Sequence, residues 1–231
     1  MSAPLAWALT GSVVCGLAGL AVPWLIRRLP EPSDPAADKI AYVDLARRPR
    51  LQVWAVLWAT LAGAVVGWSL PGDSMLLLWW PLVPVGVALG LIDWETRLLP
   101  TRLIAPSYAF VVAALAVIWL LERDAESVVR AGLGWLIAGG FYLLLWLIHP
   151  RGLGYGDVRL SGVLGLALGS VGWAALVVGV YAGFFVGGVL GLLLTLTRRV
   201  DRSGYPFGPF MLVGALLGVV WGEPLAGLVW G

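Results

Sequence analysis

Two aspartates are the residues in this sequence whose types and surroundings best suit chemistry. Asp93 follows the apolar run Gly90–Ile92, and Asp157 ends the segment Gly154-Tyr155-Gly156-Asp157. Two carboxyl groups that lie close together can share one proton, so that one activates a water molecule while the other protonates a leaving amine. This is the chemistry of an aspartic protease, and it requires a fold that brings the two residues together.

Each aspartate also has a purely structural interpretation. Asp157 can be an N-cap that accepts backbone N–H bonds at the start of a helix, and Asp93 can be an interfacial charge in a short loop. The glycines favour the functional interpretation, because Gly154 and Gly156 permit irregular backbone and let a helix or an extended substrate approach closely. We therefore predict that Asp93 and Asp157 are catalytic and that Gly154 and Gly156 form an active-site loop.

The composition indicates which elements must position these residues. Of the 231 residues, 60% are hydrophobic and 12% are charged, whereas a soluble domain has roughly 25% charged residues. Such a chain cannot cover a globular surface with polar groups, so we place it in a lipid bilayer. The formal charge of +2 does not suit a nucleic-acid-binding surface. The single cysteine, Cys15, excludes an internal disulfide and a zinc site built on cysteines.

Uncharged stretches define the membrane helices, because about 20 apolar helical residues cross a hydrocarbon core of ~30 Å. They predict an all-α polytopic protein with about eight transmembrane helices in one bundle. Leu160–Thr197 is long enough for two helices separated by a turn at Gly169–Gly172. The remaining stretches, one helix each, are Met1–Ile26, Leu51–Gly72, Ser74–Ile92, Leu103–Leu121, Ala131–Ile148 and Ser203–Gly222.

The positively charged residues orient this bundle. Alternate loops place thirteen Lys and Arg residues on one side of the membrane and only Arg123 and Arg130 on the other. Because positively charged loops stay in the cytoplasm, Asp93 and Asp157 are predicted to lie at the cytoplasmic face. We predict a multi-pass protein of the plasma membrane, in which 1–231 is a single membrane-embedded domain and 27–50 a cytoplasmic linker loop.

The length of the helix after Asp157 supports a site at that residue. With a turn at Gly169–Gly172, the helix from Asp157 to Leu168 has 12 residues, or about 18 Å, which is too short to cross the membrane. The Gly154–Asp157 segment is then expected to dip below the cytoplasmic surface. Irregular backbone is tolerated there only where it lines a cavity, and such a wet pocket suits the cleavage of an extended peptide.

Four segments together resemble the type IV prepilin leader peptidases, which are membrane aspartic proteases with a Gly-x-Gly-Asp motif. In chain order they are Arg28-Leu29-Pro30, Asp93 through Leu99-Pro100 to Pro106, Gly154 through Leu160, and Pro206-Phe207-Gly208-Pro209. The resemblance implies that Asp93 and Asp157 form the catalytic pair. It also implies that prepilins or pseudopilins are the substrates, losing a basic leader at the cytoplasmic face next to a glycine.

Weaker substrate-binding candidates lie in two places. Glu95 follows Asp93 by two residues and can contact substrate. The segment Pro206, Phe207 and Gly208 is, on chemistry alone, a kinked entry to the last helix. The resemblance makes these three residues candidates as well.

The sequence departs from many bacterial members of that family in one respect that concerns a cofactor. Those members methylate the new N-terminus with S-adenosylmethionine and carry a four-cysteine zinc motif in the loop after the first helix. The corresponding loop here has no cysteine. We therefore predict no metal site and a peptidase that needs no cofactor, with S-adenosylmethionine required only if methyltransferase activity is retained. Thr101 is a smaller departure, since the family commonly has Asp or Asn after Leu-Pro.

Two alternative functions are open at this stage. Intramembrane proteases of the presenilin or signal-peptide-peptidase kind share Gly-x-Gly-Asp, but they carry Tyr-Asp where this chain has Ile92-Asp93. A transporter would use Asp93 and Asp157 as a proton or cation relay, although the chain lacks the matching halves common in transporters. The predicted partners are prepilin-like proteins and the lipid bilayer, with no nucleic acid, and the sequence does not define an oligomeric state.

Overall fold

The chain is helical throughout the part that the computed structural model describes, which comprises residues 2–31, 40–150, 152–196 and 206–230, with only the backbone given for 190–196, 226, 229 and 230. No strand occurs in these ranges. The helices are α1 (Ala3–Gly19), α2 (Val22–Arg27), α3 (Tyr42–Ala46), α4 (Pro49–Ser69), α5 (Leu76–Thr96), α6 (Thr101–Glu122), α7 (Ala125–Ile148), α8 (Tyr155–Val171), α9 (Trp173–Leu196) and α10 (Gly208–Trp230).

Several of these helices can span a membrane. Among the described residues, six helical segments are long and apolar enough, namely Ala3–Arg27, Pro49–Ser69, Leu76–Thr96, Thr101–Glu122, Ala125–Ile148 and Gly208–Leu225. The 17-residue α8 and the apolar stretch Trp173–Val189 of α9 are shorter. The prediction of an all-α, polytopic membrane protein is confirmed, whereas the predicted total of eight spans is not.

Several helices extend beyond their predicted limits because charged residues do not end them, among them α5, α7 and α10, which continues past Glu223 to Trp230. The α5 helix continues past Ile92, and the Thr96 hydroxyl donates a 2.8 Å hydrogen bond to the Ile92 carbonyl in its last turn. Asp93 is therefore helical, which corrects its interpretation as a loop residue. The α7 helix starts at Ala125, six residues before the predicted start, because the Asp124 carboxylate caps its first turn.

The glycine motif also differs from its predicted form. Gly154 precedes α8 as its N-cap, and the helix begins at Tyr155, so that Gly156 and Asp157 lie in its first turn and not in a loop. This makes α8 17 residues long, or about 26 Å instead of the predicted 18 Å. The turn predicted within Gly169–Gly172 is present at its last residue, since α8 ends at Val171, Gly172 is the C-cap and α9 begins at Trp173.

The chain forms two compact units, Met1–Ser107 and Tyr108–Gly231. In the first unit α1 packs so closely against α4 that their glycines leave no room for a side chain. A Cβ atom added to Gly11 would collide with the backbone carbonyl of Gly63, and one added to Gly63 would collide with the carbonyl of Gly11. Cys15 is buried at this contact. The α5 helix packs against α4, α1 and α2.

In the second unit α7 packs against α8, and α9 packs against α10. The α7–α8 contact is again made by glycines, since a Cβ on Gly134 would collide with the Gly165 carbonyl oxygen. Such contacts between small residues are typical of helices that associate in membranes. They bring the first half of α7 against the second half of α8, the helix whose first turn carries Asp157.

A short helix lies within the segment predicted as a linker. Its N-terminus is capped by Glu31, whose carboxylate accepts hydrogen bonds from the backbone N–H groups of Tyr42 (3.0 Å) and Val43 (3.1 Å). Tyr42 is buried, and burial raises the pKa of its phenol, with a further contribution from Glu31. The α3 helix packs against α2 and leads directly into Arg47 and Arg48 before α4.

Candidate active site

Asp93 is a buried carboxyl group in the last turn of α5. Asp93 is only 4% exposed, and the neighbouring Ile92 is fully buried. The backbone N–H of Arg97 donates a 2.8 Å hydrogen bond to the Asp93 carbonyl. Arg97 itself has a φ of 53°, a left-handed conformation that ends the helix four residues after Asp93.

Glu95 forms an ion pair with the residue that precedes α4. Its Oε2 atom lies 2.7 Å from Arg48 Nη1, and the two side chains are 33% and 46% exposed. The predicted substrate-binding role of Glu95 was inferred without this partner. The structure shows that this contact links the end of α5 to the start of α4, and the substrate-binding role of Glu95 stays a prediction.

Asp157 is a buried carboxyl group at the start of a helix, whereas Asp93 lies at the end of one. It lies in the first turn of α8 and is 7% exposed. Its Oδ2 atom accepts a 3.0 Å hydrogen bond from the N–H of Gly154, and its own N–H donates to the Gly154 carbonyl at 3.0 Å. Since Gly154 has no side chain, this is the acidic half of a capping box. The arrangement fixes the direction of the Asp157 side chain.

The first turns of α8 are also held by a tyrosine from α6. The Tyr108 hydroxyl donates a 2.8 Å hydrogen bond to the backbone carbonyl of Arg159, and a Cβ at Gly162 would collide with that hydroxyl. Gly162 thus leaves the space that Tyr108 occupies. The Arg159 guanidinium lies over the ring of Tyr155, 5.2 Å from its centroid, which further orders the start of the helix.

An aromatic cluster lies next to Asp157 in the second unit. Tyr142 of α7 is 2% exposed and interacts electrostatically with Asp157. Its ring centroid lies 5.0 Å from that of Phe184 and 6.2 Å from that of Phe207. Phe207 belongs to the segment predicted to bind substrate, so the structure brings part of that segment close to Tyr142.

A small, mainly apolar cavity adjoins the cluster. Tyr142 and Ser161 contribute the hydroxyl groups among its lining residues, and Gly165, Gly179 and Met211 contribute apolar surface. Ser161 follows Asp157 by four residues and therefore lies on the same face of α8. The cavity and Asp157 accordingly belong to one side of that helix.

The predicted site residues are distributed over both units. Asp93 and Glu95 lie in Met1–Ser107, whereas Gly154, Gly156 and Asp157 lie in Tyr108–Gly231 together with Pro206, Phe207 and Gly208. Pro206 and Phe207 are partly buried, and Gly208, which starts α10, is buried. The convergence of the two aspartates stays a prediction.

Three residues near the site were not identified from the sequence. In the sequence Arg48 is only one of the thirteen positive residues that set the topology, and Tyr108 and Tyr142 differ from their apolar neighbours only by their hydroxyl groups. A buried tyrosine hydroxyl usually has a hydrogen-bond partner, so a polar atom within an apolar span was the available signal. The partners of these hydroxyls could not be read from the local sequence.

Comparisons with known proteins agree with the arrangement of the motifs. The model of the Type IV leader peptidase family matches residues 76–194, a range that includes Asp93 and the Gly154–Asp157 segment. No solved structure matches the chain.

Three curated relatives are each called prepilin leader peptidase/N-methyltransferase. The relative from Stutzerimonas stutzeri is 30% identical over 163 residues, covering 69% of this chain and 53% of its own. Those from Aeromonas hydrophila and Pseudomonas aeruginosa are 31% and 30% identical, covering 78% and 72% of this chain and 60% and 57% of their own. The chain thus spans between half and two thirds of the length of these relatives.

Proposed function

The chain belongs to the type IV leader peptidase family, and we propose that it is a membrane aspartic endopeptidase that removes the basic leader from prepilin-like proteins. The observation that carries the proposal is the presence of two buried carboxyl groups, 4% and 7% exposed, within the family match. Buried carboxyl groups in membrane proteins are costly and usually functional. The substrates are prepilins or pseudopilins, cleaved next to a glycine.

In the proposed reaction Asp93 and Asp157 act as one unit that shares a proton. The ionised carboxylate takes a proton from water as the water oxygen attacks the carbonyl carbon of the scissile peptide bond. The protonated carboxyl group then gives its proton to the amide nitrogen as the C–N bond breaks. The products are a new carboxyl group and a new amine, and the pair again holds one proton.

In the proposal the other predicted residues assist the catalytic pair. Gly154 and Gly156 leave room beside Asp157 for an extended backbone, because neither carries a side chain. Phe207, with Pro206 and Gly208, provides apolar surface for the substrate near the aromatic cluster. Glu95 lies two residues from Asp93 and forms the ion pair with Arg48.

The residues do not fit the zinc site of methylating relatives. Structural zinc sites of that kind use several thiolates, and Cys15 is the single cysteine in the sequence. Its Sγ atom lies 3.6 Å from the Trp80 carbonyl oxygen, buried within the first unit. We therefore propose a peptidase that requires neither zinc nor S-adenosylmethionine.

The proposal places the protein in the plasma membrane with its active site at the cytoplasmic face. The support is the distribution of thirteen positive residues against two. Cysteine labelling in intact cells tests it, using Asp44→Cys and Glu122→Cys in a Cys15→Ala background. Only the cysteine at position 122 should react with an impermeant reagent, and labelling at position 44 would reverse the topology.

One experiment tests cleavage and methylation together. The protein is co-expressed with a candidate prepilin in a host that lacks its own leader peptidase, and the N-terminal sequence and mass of the product are determined. The expected product starts after the glycine and has an unmodified amine. An intact leader across a panel of prepilins and pseudopilins would refute the peptidase, and a mass increase of one methyl group would refute the part of the proposal that concerns methylation.

A further inference from the structure

The end of α5, which carries Asp93, is tied to a second helix by an ion pair. Arg48 Nη1 and Glu95 Oε2 are 2.7 Å apart, although the two residues are 47 positions apart in the chain. Glu95 follows Asp93 by two residues in the same helical turn. Any displacement of Glu95 along the helix axis therefore also moves Asp93.

Arg48 is well suited to hold that turn because its own backbone is constrained. It is the N-cap of α4, with an extended conformation (φ −67°, ψ 122°), and Pro49 follows it. A residue before proline is largely confined to extended conformations. The helix that starts at Pro49 is in turn anchored by Leu51 and Ala55, which are 5% and 0% exposed.

The other side of this contact is the last turn of α5, in which Asp93 and Thr96 are buried and Glu95 is exposed. Arg97 adopts the left-handed conformation, and the hydrogen bond from its N–H to the Asp93 carbonyl is local to the turn. Helix ends fray unless other contacts hold them. An ion pair from a fixed residue of α4 is the kind of contact that keeps the last turn of α5 in register.

Because the Arg48–Glu95 ion pair is partly exposed, a role in positioning Asp93 can be distinguished from a role in global stability. With side chains 46% and 33% exposed, the pair is close to the solvated ion pairs that contribute little to global stability. Loss of the pair should therefore leave the fold intact. Catalysis is more sensitive than stability, because small displacements of a reacting group can slow a reaction strongly.

We infer that Arg48 is a positioning residue that acts through Glu95 to orient the Asp93 carboxyl group. The inference rests on the proposed function. It assigns Arg48 and Glu95 to the geometry of the reaction and not to the binding of substrate.

The test compares cleavage of a prepilin by the full-length protein in lipid nanodiscs for Arg48→Gln, Glu95→Gln, the double variant and Arg48→Lys. Each Gln variant should lower kcat about tenfold and leave KM within about twofold of the native value. The double variant should be no slower than either single variant, because both remove the same contact. Arg48→Lys should recover part of the loss, since an ammonium group keeps the charge but not the guanidinium geometry.

Arg47→Gln is the matched control. It removes the same charge one residue away, from a more distant pair in which Arg47 Nη1 and Asp44 Oδ1 lie 3.9 Å apart and the side chains are 74% and 68% exposed. It should cleave at the native rate. A raised KM with native kcat for Glu95→Gln would show that Glu95 binds substrate and would overturn the inference, as would additive losses in the double variant or native rates in both Gln variants.

A measurement without substrate distinguishes failure of this inference from failure of the proposed function. Hydrogen exchange of peptides covering residues 89–100 should be faster in Arg48→Gln than in the native protein and unchanged in Arg47→Gln. Unchanged exchange in Arg48→Gln would overturn the inference even if the native protein proved inactive. Absence of cleavage by the native protein would refute the proposed function alone.

Discussion

The two units each present one buried aspartate, but at opposite ends of a helix. Asp157 lies in the first turn of α8, where backbone N–H groups point towards it and Gly154 donates to its side chain. Asp93 lies in the last turn of α5, the end at which a helix presents carbonyl groups and not N–H groups. At the helix start the Gly154 N–H contacts the carboxylate directly, whereas at the helix end we infer that the Arg48–Glu95 ion pair helps to position the turn that carries Asp93.

The largest expected effect removes either carboxylate. Asp93→Asn and Asp157→Asn should each reduce prepilin cleavage by a factor of about 10³ or more, and the double variant should be no slower, because the two groups act as a unit. Asn keeps an oxygen that can accept the hydrogen bond from Gly154, so Asp157→Asn should still fold. Cleavage is measured from the shift in product mass after co-expression.

Two other acidic residues at helix starts provide controls for that experiment. Asp73 accepts a 2.7 Å hydrogen bond from Met75 N–H before α5, and Asp124 caps α7. Asp73→Asn and Asp124→Asn should cleave at native rates. A substantial rate in a correctly inserted Asp93 or Asp157 variant would contradict the pair and would make an ion-flux assay for the transporter alternative the next experiment.

The next largest expected effect is steric and concerns the packing of α8 against α7. Gly134→Ala adds a methyl group where the Gly165 carbonyl oxygen lies, so it should lower the free energy of unfolding by about 1–3 kcal/mol. Gly140→Ala in the same helix meets nothing within 4 Å and should be neutral or slightly stabilising. Unfolding by titration with a denaturing detergent measures both, and equal stability of the two variants would show that the close α7–α8 contact is wrong.

Much of the fold could be predicted from the sequence because apolar length is a local property. The all-α class and the break at Gly172 needed no knowledge of neighbours. The predicted ends of α5 and α7 are wrong because charged residues do not end these helices, which Thr96 and Asp124 extend by local hydrogen bonds. A rule based on charge alone cannot anticipate such capping.

The same distinction between local sequence and long-range packing applies to the candidate site. The motif around Asp157 could be recognised because its residues are adjacent, and so could the segment around Asp93. The Arg48–Glu95 pair and the cluster around Tyr142 join residues far apart in the chain. No spacing rule connects such residues, because their proximity depends on how the helices pack.

A smaller effect tests how far the start of α8 depends on its neighbour. Tyr108→Phe removes the hydroxyl that donates to the Arg159 carbonyl at 2.8 Å, which should cost about 1 kcal/mol of unfolding free energy. Tyr181→Phe is the matched control, because Tyr181 is 73% exposed. If Tyr108→Phe were as stable as the control, the backbone of α8 alone would order the turn that carries Asp157.

The smallest expected effect concerns Asp124, which caps the start of α7 outside the candidate site. It serves as a reference for Asp157, which is also an acidic residue at the start of a helix. The backbone N–H of Ser127, assisted by that of Glu126 and by the charge of Arg130, holds the pKa of Asp124 below its usual value of 3.8. A carboxyl group whose pKa is lowered in the folded state contributes stability that is present above its unfolded pKa and lost as the pH falls through the folded pKa. The native protein should therefore lose slightly more stability than Asp124→Asn between about pH 5 and about pH 2, because Asn keeps the capping oxygen but does not titrate. Detergent unfolding at a series of pH values measures the difference, and parallel curves for the two proteins would show that the cap contributes nothing that depends on its charge.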